Sequence, residues 1–334
     1  MKKLTRGQMF AAAASACTAG FAFGRIKIAR ERDGLLDKGG ARSPVAIVKA
    51  ASYSGELTRR IVEGIQACGL NVKGKRVLLK PNLVEFDKNT VINTDVAVVA
   101  AAFEAFSLLG AGEVRIGEGP GHRRDTYALA EEAGYRGLLE QFDRVFVDLN
   151  RDDVSRVEGF ADESEIYLPQ TALAADLIVS IPKMKTHHWA GATLAMKNFF
   201  GLVPGAVYGW PKNTLHAIGI TRSVVELNRI FSKSFAIVDG IVGMEWNGPV
   251  QGTPKQAGVL VMGSDLRAVD ATCCRIMGID PARIAYIEGS AHLGNATVEG
   301  VEQRGENVAS VRSDFKLIRE FEDLRLNQKL RVSD

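Results

Sequence analysis

The stretch PKMKTHHWAGATLAMKN, Pro182 to Asn198, places three lysines and two adjacent histidines directly after the apolar run LIVSI. A solvated loop does not need the aromatic and aliphatic residues of this stretch, and a core segment cannot bury so many cations without partners. A binding site accounts for both halves. Lysine ammonium groups beside hydroxyl and amide groups suit a carboxylate or a phosphate. The stretch therefore predicts a site for a small anionic molecule.

Similar side chains follow other apolar runs of the chain. VLL is followed by Lys80-Pro81-Asn82, and VRI is followed by a Gly-Glu-Gly-Pro-Gly turn that can bring backbone N–H groups close to an anion. We expect these segments to contribute to the same site. The predicted substrate-binding residues are Lys80, Asn82, Gly119, Gly121, Lys183, Thr186, Lys197, Asn198, Asn247 and Asp265.

Four residues are predicted to be catalytic: Asp239, Glu245, His187 and Lys185. The two carboxylates can orient lysines, accept protons or hold a divalent cation through their oxygens. A histidine, either His187 or His216, can exchange protons near neutral pH. Crowded lysines lower one another's pKa, so that one of them can act as a neutral base or as an amine nucleophile.

The adjacent histidines His187 and His188 are expected to send at most one side chain into the site, because neighbouring side chains point in different directions. Neither an H-x-x-H nor an H-E-x-x-H spacing occurs. The sequence thus leaves the cofactor unknown and a divalent metal open. The remaining histidines, His122 and His292, are interpreted as surface residues.

The chain has four cysteines, Cys17, Cys68, Cys273 and Cys274, and no C-x-x-C pair. An iron–sulfur cluster or a zinc ribbon therefore cannot be built from its own motifs. Side chains next to each other on a helix do not face one another, so Cys273 and Cys274 are predicted to pack in the core.

The composition is that of a globular α/β protein: 334 residues, 46% hydrophobic and 24% charged, with a net charge of +3. Because basic and acidic residues nearly balance, the whole molecule gives no reason to expect a nucleic acid as a partner. Anion recognition must be local. The sequence leaves the oligomeric state open.

The N-terminal residues 1–30 are predicted to be an export signal or a membrane anchor. A basic start, KKLTR, precedes an uncharged, alanine-rich stretch that runs to Gly24. Ala14 to Ala16 offer a small-residue cleavage site, and Cys17 after them suits lipid attachment. TRGQMF is similar to a twin-arginine signal with Gly7 in place of the second arginine. We expect the chain to be exported or membrane-anchored through this segment, and a cytoplasmic location stays open.

The elements that must position the site alternate between strands and helices. Short apolar runs indicate strands that begin at Val45, Arg76, Glu113, Arg144, Asp176, Phe235 and Gly258. Amphipathic patterns between them predict helices, one of them capped by Thr94. This alternation predicts an α/β fold with a mostly parallel sheet covered by helices on both faces. We place one main domain at residues 44–310, a C-terminal tail at 311–334, and an acidic excursion between strands at Asn150–Leu168.

The carboxyl ends of parallel strands meet at one edge of a sheet, where ligands bind. Five predicted strands are followed by polar or glycine-rich segments, which begin at Lys80, Gly117, Lys183, Asp239 and Gly263. We therefore expect all five segments to meet in one cleft.

Several long blocks resemble the uncharacterised family called domain of unknown function 362. They are VLLKPNLV, the run from Gly110 to Gly121, KMKTHHWAGATLAMKNFFGLVPG, IVDGIVGMEWNGPVQGTP and GSDLRAVDATCCRIMGIDP. The resemblance runs from about Val45 to about Gly294 and implies no known reaction. Some relatives carry a cysteine-rich iron–sulfur module, which is absent here. Relatives tend to have glycine where this chain has Trp246, whose bulk is expected to narrow the pocket.

These observations support three hypotheses about function. The preferred one is an enzyme that acts on a small anionic metabolite, with the reaction unknown and a divalent metal open. The first alternative is an exported anion-binding or accessory protein without catalysis. The second alternative is a component of an iron–sulfur or redox system that uses a partner's cluster. Alanine at Lys183 or Lys185 is expected to abolish stabilisation by a ligand while leaving the fold intact.

Overall fold

The computed structural model describes residues 42–139 and 141–326. The predicted export signal or anchor at residues 1–30, with Cys17, and the last residues of the predicted tail lie outside the described residues. Within the described ranges, the helices are too short or too polar for any of them to cross a membrane.

Twelve strands are found in the described residues. In chain order they are β1 (Ser43–Lys49), β2 (Arg76–Pro81), β3 (Glu113–Glu118), β4 (Phe146–Asp148), β5 (Val154–Phe160), β6 (Glu163–Pro169), β7 (Leu177–Ile181), β8 (Lys183–His187), β9 (Gly191–Thr193), β10 (Ser234–Glu245), β11 (Thr253–Gly263) and β12 (Val301–Gly305).

The main sheet has the strand order β12-β1-β11-β10-β7-β2-β3-β4. Along this path β11 is antiparallel to β10 and to β1, and the other neighbours are parallel. The prediction of a mostly parallel sheet is therefore confirmed. The acidic excursion forms a separate antiparallel hairpin of β5 and β6.

Helices connect the strands. In chain order they are α1 (Leu57–Ala67), α2 (Val96–Leu108), α3 (Thr126–Glu132), α4 (Tyr135–Leu138), α5 (Phe142–Val145), α6 (Gln170–Ala174), α7 (Gly205–Tyr208), α8 (Asn213–Ile218), α9 (Ile220–Ile230), α10 (Leu266–Ile276), α11 (Ala285–Glu288) and α12 (Val308–Val311), with short 3-10 turns that include Lys197–Leu202.

The sheet is covered on both faces, as the continuous apolar strands predict. One hydrophobic cluster contains α1 and α2 residues such as Ile61 and Phe106. The other contains α9 and α10 residues such as Leu227, together with Cys273 and Cys274. The two adjacent cysteines are fully buried, so they pack in the core as predicted.

The cap of α2 differs from the prediction. Asp95, not Thr94, is the N-cap, and its carboxylate accepts a hydrogen bond from the backbone N–H of Ala97. Thr94 instead bridges two segments, because its hydroxyl donates to the carbonyl of Ile181 and accepts from the N–H of Asn82. Thr94 thereby ties the end of β2 to the end of β7.

The long strand β10 extends the sheet beyond the carboxyl ends of its parallel strands. The chain leaves β7 at Pro182, whose carbonyl accepts a hydrogen bond from the N–H of Asp239 at 2.8 Å, and continues as β8 along the far half of β10. A tight return through β9 completes a small antiparallel ladder. This ladder carries the lysine and histidine stretch to the edge where ligands bind.

The segment predicted to be a tail is part of the folded domain as far as residue 326. Phe315 is fully buried, and Leu317 and Leu324 are buried against the cluster that contains α10. The N–H of Asp280 donates to the carbonyl of Leu324 at 2.7 Å. The packed domain therefore extends past the predicted boundary at residue 310.

Candidate active site

A cavity of about 380 Å³ lies beyond the carboxyl ends of β2, β3 and β8. Its lining combines cations, imidazoles and aromatic rings. Among the described residues that line it, the lysines are Lys80, Lys185, Lys197 and Lys212, and the histidines are His122, His187, His188 and His216. Glu118 is the one carboxylate in this lining. The cavity therefore has an excess of basic groups and suits an anion.

Lys80 and Glu118 form a buried ion pair in the cavity wall. Their nitrogen and oxygen atoms are 2.8 Å apart, and both side chains are 1% exposed. Lys80 also donates to Oδ1 of Asn198 at 3.0 Å, and Glu118 accepts from the N–H of Leu83 at 2.8 Å. Burial lowers the pKa of Lys80, and Glu118 opposes that shift. The positive charge of Lys80 is thus already balanced by a carboxylate.

Lys185 has no such partner. It is fully buried on β8, and Nζ donates to the carbonyls of Ile92 at 2.9 Å and Pro249 at 3.3 Å. The salt bridges of the described residues include none to Lys185. Burial lowers its pKa well below the usual value, and the nearby charges of Lys197 and Lys183 lower it further. Lys185 is therefore poised to be a neutral amine in the cavity wall.

Two further lysines complete the basic wall. Nζ of Lys197 lies 4.8 Å from the ring centre of Phe200, and burial lowers its pKa to about 8. Nζ of Lys212 donates to the carbonyls of Gly119 and Phe200, and burial lowers its pKa to about 7. Both side chains titrate nearer to neutral pH than an ordinary lysine.

His187 is held as a neutral ring with a defined tautomer. Its Nδ1 accepts hydrogen bonds from the backbone N–H groups of Trp189 at 3.0 Å and Ala190 at 3.2 Å. An acceptor nitrogen carries no proton, so the ring proton is on Nε2. Burial lowers the pKa of His187 far below its usual value, and the neighbouring Lys197 adds to this effect. His187 is thus a neutral hydrogen-bond donor and not a cation.

His188 has the opposite arrangement. Its Nδ1 lies 2.8 Å from the carbonyl of Gly248, which can only accept, so Nδ1 carries the proton. In the neutral ring Nε2 is then an acceptor. Both histidines line the cavity. The prediction that at most one of them would do so is wrong, because the chain leaves β8 at His187 and turns at once.

Aromatic rings surround the entrance. Trp189 is 66% exposed, and its ring contacts those of His188 and His216 edge to face, with centroids 4.9 Å and 5.8 Å apart. Burial and the charge of Lys197 lower the pKa of His216. His122 is exposed, as predicted, and it also lines the cavity. The rim can therefore contact an apolar or flat part of a ligand.

Among the residues that the structure describes, two buried polar atoms of the cavity wall have no hydrogen-bond partner. They are Oδ1 of Asn82 and Oγ1 of Thr193, in side chains that are 8% and 4% exposed. Buried polar atoms are nearly always paired in folded proteins. Their lack of a partner here is consistent with a site that a ligand or water completes.

The structure brings together more than half of the predicted site residues. Those that line the cavity are Lys80, Asn82, Gly119, Gly121, Lys185, His187, Lys197 and Asn198. Those that lie outside its lining are Lys183, Thr186, Asp239, Glu245, Asn247 and Asp265.

Lys183 and Asp239 form a second buried ion pair, beside the cavity and not in its lining. Their nitrogen and oxygen atoms are 2.5 Å apart, and the side chains are 2% and 0% exposed. The hydroxyl of Tyr53 donates to Asp239 at 3.1 Å, and the N–H of Asp95 also donates to Asp239. These contacts occupy the Asp239 carboxylate, so it is placed to fasten α2 to the sheet.

The prediction that Asp265 joins the other segments at one edge is wrong. Asp265 follows β11, which runs antiparallel to its neighbours, so the end of β11 is at the opposite edge. There Asp265 caps α10 through the N–H of Ala268 and accepts hydrogen bonds from Ser43 and Asn295. Its neighbours identify it as a structural residue.

Three more predicted residues make structural contacts on the extension of the sheet. Glu245 accepts a hydrogen bond from the N–H of Lys316 at 2.9 Å, which holds the C-terminal segment. The Thr186 hydroxyl donates to the carbonyl of Trp246 at 2.9 Å, and Asn247 contacts Gln251. The geometry thus gives the predicted catalytic residue Glu245 no access to the cavity.

Trp246 does not narrow the pocket, contrary to the expectation. Its side chain is 49% exposed and absent from the cavity lining. Its backbone has φ 72°, in the left-handed region that glycine adopts without strain. The glycine expected at this position in relatives would adopt this backbone conformation without strain.

The carboxylates proposed as metal ligands are dispersed. Asp239 pairs with Lys183, and Glu245 holds the C-terminal segment. Among residues 42–139 and 141–326, no group of three or more His, Cys, Asp or Glu side chains could hold a metal ion. The identity of a metal or other cofactor is left undetermined.

Two charged residues that line the cavity, Glu118 and Lys212, were not predicted from the sequence. Glu118 stands in the Gly-rich turn that was selected, and a carboxylate one strand away from Lys80 at the same edge is a signal for an ion pair. Lys212 stands in the loop YGWPKN, without a preceding strand. Only the path of that loop over Gly119 brings Lys212 to the site.

Comparison with solved structures finds distant likenesses. The lactate racemase apoprotein from Thermoanaerobacterium thermosaccharolyticum matches with a TM-score of 0.46 at 12% identity, over 72% of this chain and 58% of that one. A protein from Thermotoga maritima matches with a TM-score of 0.36 at 18% identity, over 65% and 58%. The chain spans less than two thirds of the length of either structure.

Comparison of sequences gives a nearer relative. A thylakoid-associated protein of Synechocystis sp. is 31% identical over 262 residues, which cover 75% of this chain and 79% of that protein. The model of the family "Domain of unknown function (DUF362)" matches residues 77–275, more than half of the chain. The resemblance seen in the sequence is confirmed, and the chain belongs to the DUF362 family.

Proposed function

We propose that this chain is an enzyme that removes a proton from a small organic anion. The anion is a carboxylate or a phosphate ester, and Lys185 is the group that accepts the proton. One observation carries the proposal. Lys185 is a fully buried lysine in the wall of a basic cavity, and in the described residues it has two carbonyl partners and no carboxylate.

The electrostatics of the cavity wall favour the neutral amine of Lys185. Removing an ammonium from water is costly, and the charges of Lys197 and Lys183 add repulsion. A lysine whose pKa is lowered in this way can act as a general base near neutral pH. An ordinary exposed lysine is almost fully protonated there.

The proton transfer balances in charge and in electrons. The bond between the ligand and its acidic hydrogen breaks, its electron pair stays on the ligand, and the lone pair of the Lys185 amine forms the new N–H bond. Negative charge develops on the ligand while Lys185 becomes an ammonium. The ammonium of Lys197 and the Nε2–H of His187 are available to stabilise that charge.

The Lys80–Glu118 pair has a supporting role in this proposal. Because Glu118 already balances Lys80, the pair is a rigid part of the wall, and it orients Asn198. The amide of Asn198 also donates to the carbonyl of Lys80 at 2.9 Å. Such a fixed wall limits the reorganisation needed when a ligand binds.

A thermal-shift screen with carboxylates and phosphate esters tests binding. A compound that binds the folded chain raises its melting temperature. The wild-type protein should respond to at least one class, and Lys185→Met should not. Lys233→Met, an exposed lysine before β10, is the matched control and should respond like the wild type. If no compound of either class stabilises the wild type, the proposal is overturned.

Exchange of C–H hydrogens in D₂O tests proton transfer without knowledge of the product. The compounds that bind are incubated with the protein in D₂O, and proton NMR follows the loss of their C–H signals. We expect exchange with the wild type and with Lys233→Met, and none with Lys185→Met. Binding without exchange in the wild type would make the chain an anion-binding protein, which is the alternative without catalysis.

We also propose that residues 1–30 attach the chain to a membrane or direct its export. The basic, alanine-rich N-terminus supports this. Fractionation of cells that express the full chain, compared with a chain that begins at residue 42, tests it. Equal distribution of both chains between soluble and membrane fractions would contradict it.

A further inference from the structure

We propose that the ligand carries a neutral hydrogen-bond donor, a hydroxyl group, beside its anionic group. This inference rests on the proposed function and deepens it, since it narrows the ligand from any small organic anion to a hydroxylated one. Four polar groups of the cavity wall carry it.

The two adjacent histidines present complementary groups. His187 is fixed with its proton on Nε2, because Nδ1 accepts two backbone hydrogen bonds. His188 donates through Nδ1 to the carbonyl of Gly248, so the Nε2 of the neutral ring accepts. The ring centroids are 5.1 Å apart. Neither Nε2 atom has a protein partner in the described structure, and a hydroxyl can accept from the first ring and donate to the second.

Two other wall residues also lack partners. Oδ1 of Asn82 can only accept a hydrogen bond, and Oγ1 of Thr193 can accept one or donate one. Both side chains are more than nine-tenths buried. An acceptor in this setting is satisfied only by a group that brings a hydrogen.

The lysines decide what kind of donor fits. The ammonium of Lys197 lines the same cavity, and Glu118, the carboxylate of its lining, already pairs with Lys80, so a ligand ammonium group would meet a like charge and no free carboxylate. A fully ionised carboxylate or phosphate group has only acceptors, so it offers no hydrogen to Nε2 of His188 or to the buried Oδ1 of Asn82. A hydroxyl is neutral and donates, which meets both conditions.

Pairs of probes that differ only in hydroxyl groups test the inference. The pairs are glycerol 3-phosphate with propyl phosphate, and 3,4-dihydroxybutanoate with butanoate. Isothermal titration of the full chain gives the dissociation constant of each. In at least one pair we expect the hydroxylated member to bind about tenfold more tightly or better, since an unmade buried hydrogen bond weakens binding by that order.

A variant of His188 tests whether its Nε2 atom is the acceptor that causes the preference for the hydroxylated probes. His188→Asn keeps a donor near the position of Nδ1 and removes Nε2, so the preference for the hydroxylated member should fall toward equality. Thr193→Val should lower the preference independently. His292→Asn, at an exposed histidine outside the cavity, is the matched control and should keep it.

The outcomes separate this inference from the proposed function. Equal affinity for both members of each pair in the wild type overturns the inference, while anion binding survives. A hydroxyl preference that His188→Asn and Thr193→Val both leave unchanged also overturns it. If no member of either pair binds while another anion of the thermal-shift screen does, the inference is overturned and the proposed function survives. If no anion binds, both fail.

Discussion

The ammonium nitrogen of Lys80 lies 2.8 Å from a carboxylate oxygen of Glu118, and both side chains are 1% exposed. The pair stands in the same cavity wall as Lys185, which has no carboxylate partner. The two lysines of this wall therefore differ: the charge of Lys80 is balanced by the protein, and Lys185 has no counter-charge among the described residues.

Glu118→Gln should destabilise the protein by about 3–5 kcal/mol, because it leaves the buried ammonium of Lys80 without its counter-charge. Urea unfolding at neutral pH measures this loss. Glu113→Gln is the control on the same strand: Glu113 pairs with Arg115 at 2.6 Å, but both side chains are about half exposed. An exposed pair contributes under about 1 kcal/mol. Equal losses in the two variants would contradict the proposed buried pair.

Lys183→Met and Lys185→Met should have opposite effects, although the residues are two positions apart on β8. Lys183→Met leaves Asp239 buried and unpaired, so we expect a loss of about 3–5 kcal/mol in the free energy of unfolding. Lys185→Met removes a buried lysine without a counter-ion, so stability should be kept or raised while the response to anions is lost. The expectation from sequence that Lys183 could be replaced without harm to the fold is not supported by this geometry. Comparable destabilisation by both changes, in urea unfolding, would contradict this assignment.

Lys212 should make stability rise with pH. Burial lowers its pKa to about 7 in the folded chain, whereas an unfolded lysine titrates near 10.4. Between these values the unfolded chain holds a proton that the folded chain lacks, so the free energy of unfolding increases with pH by the order of 1 kcal/mol per unit. Lys212→Met removes this contribution. Measured by urea unfolding, the free energy of unfolding of the wild type should rise relative to that of the variant between pH 7 and pH 9.5. A constant difference between the two would contradict the lowered pKa. The control variant Lys233→Met should show the same pH dependence of the free energy of unfolding as the wild type.

Gly201→Ala should disturb the buried pair. A Cβ at Gly201 would collide with Oε1 of Glu118 and Nζ of Lys80. Overpacking of this kind costs about 1–3 kcal/mol, and displacement of Lys80 should also weaken binding of anionic ligands. Gly137→Ala is the control, since nothing lies near the added methyl group on α4. Differential scanning calorimetry and the thermal-shift screen check both effects. A Gly201→Ala protein that melts and responds like Gly137→Ala would show that the wall is not tightly packed.

Local patterns in the sequence predicted seven of the strands in the described residues, the helical cover and the edge at which Lys80, Gly119 and Lys185 meet. The seven strands are β1, β2, β3, β4, β7, β10 and β11. The apolar run LIVSI is a buried strand, and the basic stretch after it is the ladder that lines the cavity. These features follow from hydrophobic periodicity and from the rule that parallel strands end at one edge.

Only the tertiary structure decided which charged residues share the site. β11 runs antiparallel to both of its neighbours and takes Asp265 to the opposite edge, although its own sequence looks like that of the parallel strands of the sheet. Lys183 pairs with Asp239 and Lys185 does not pair with a carboxylate, although both follow the same apolar run. Strand direction and ion pairing depend on contacts between residues far apart in the chain, and the local pattern around each lysine carries no information about them.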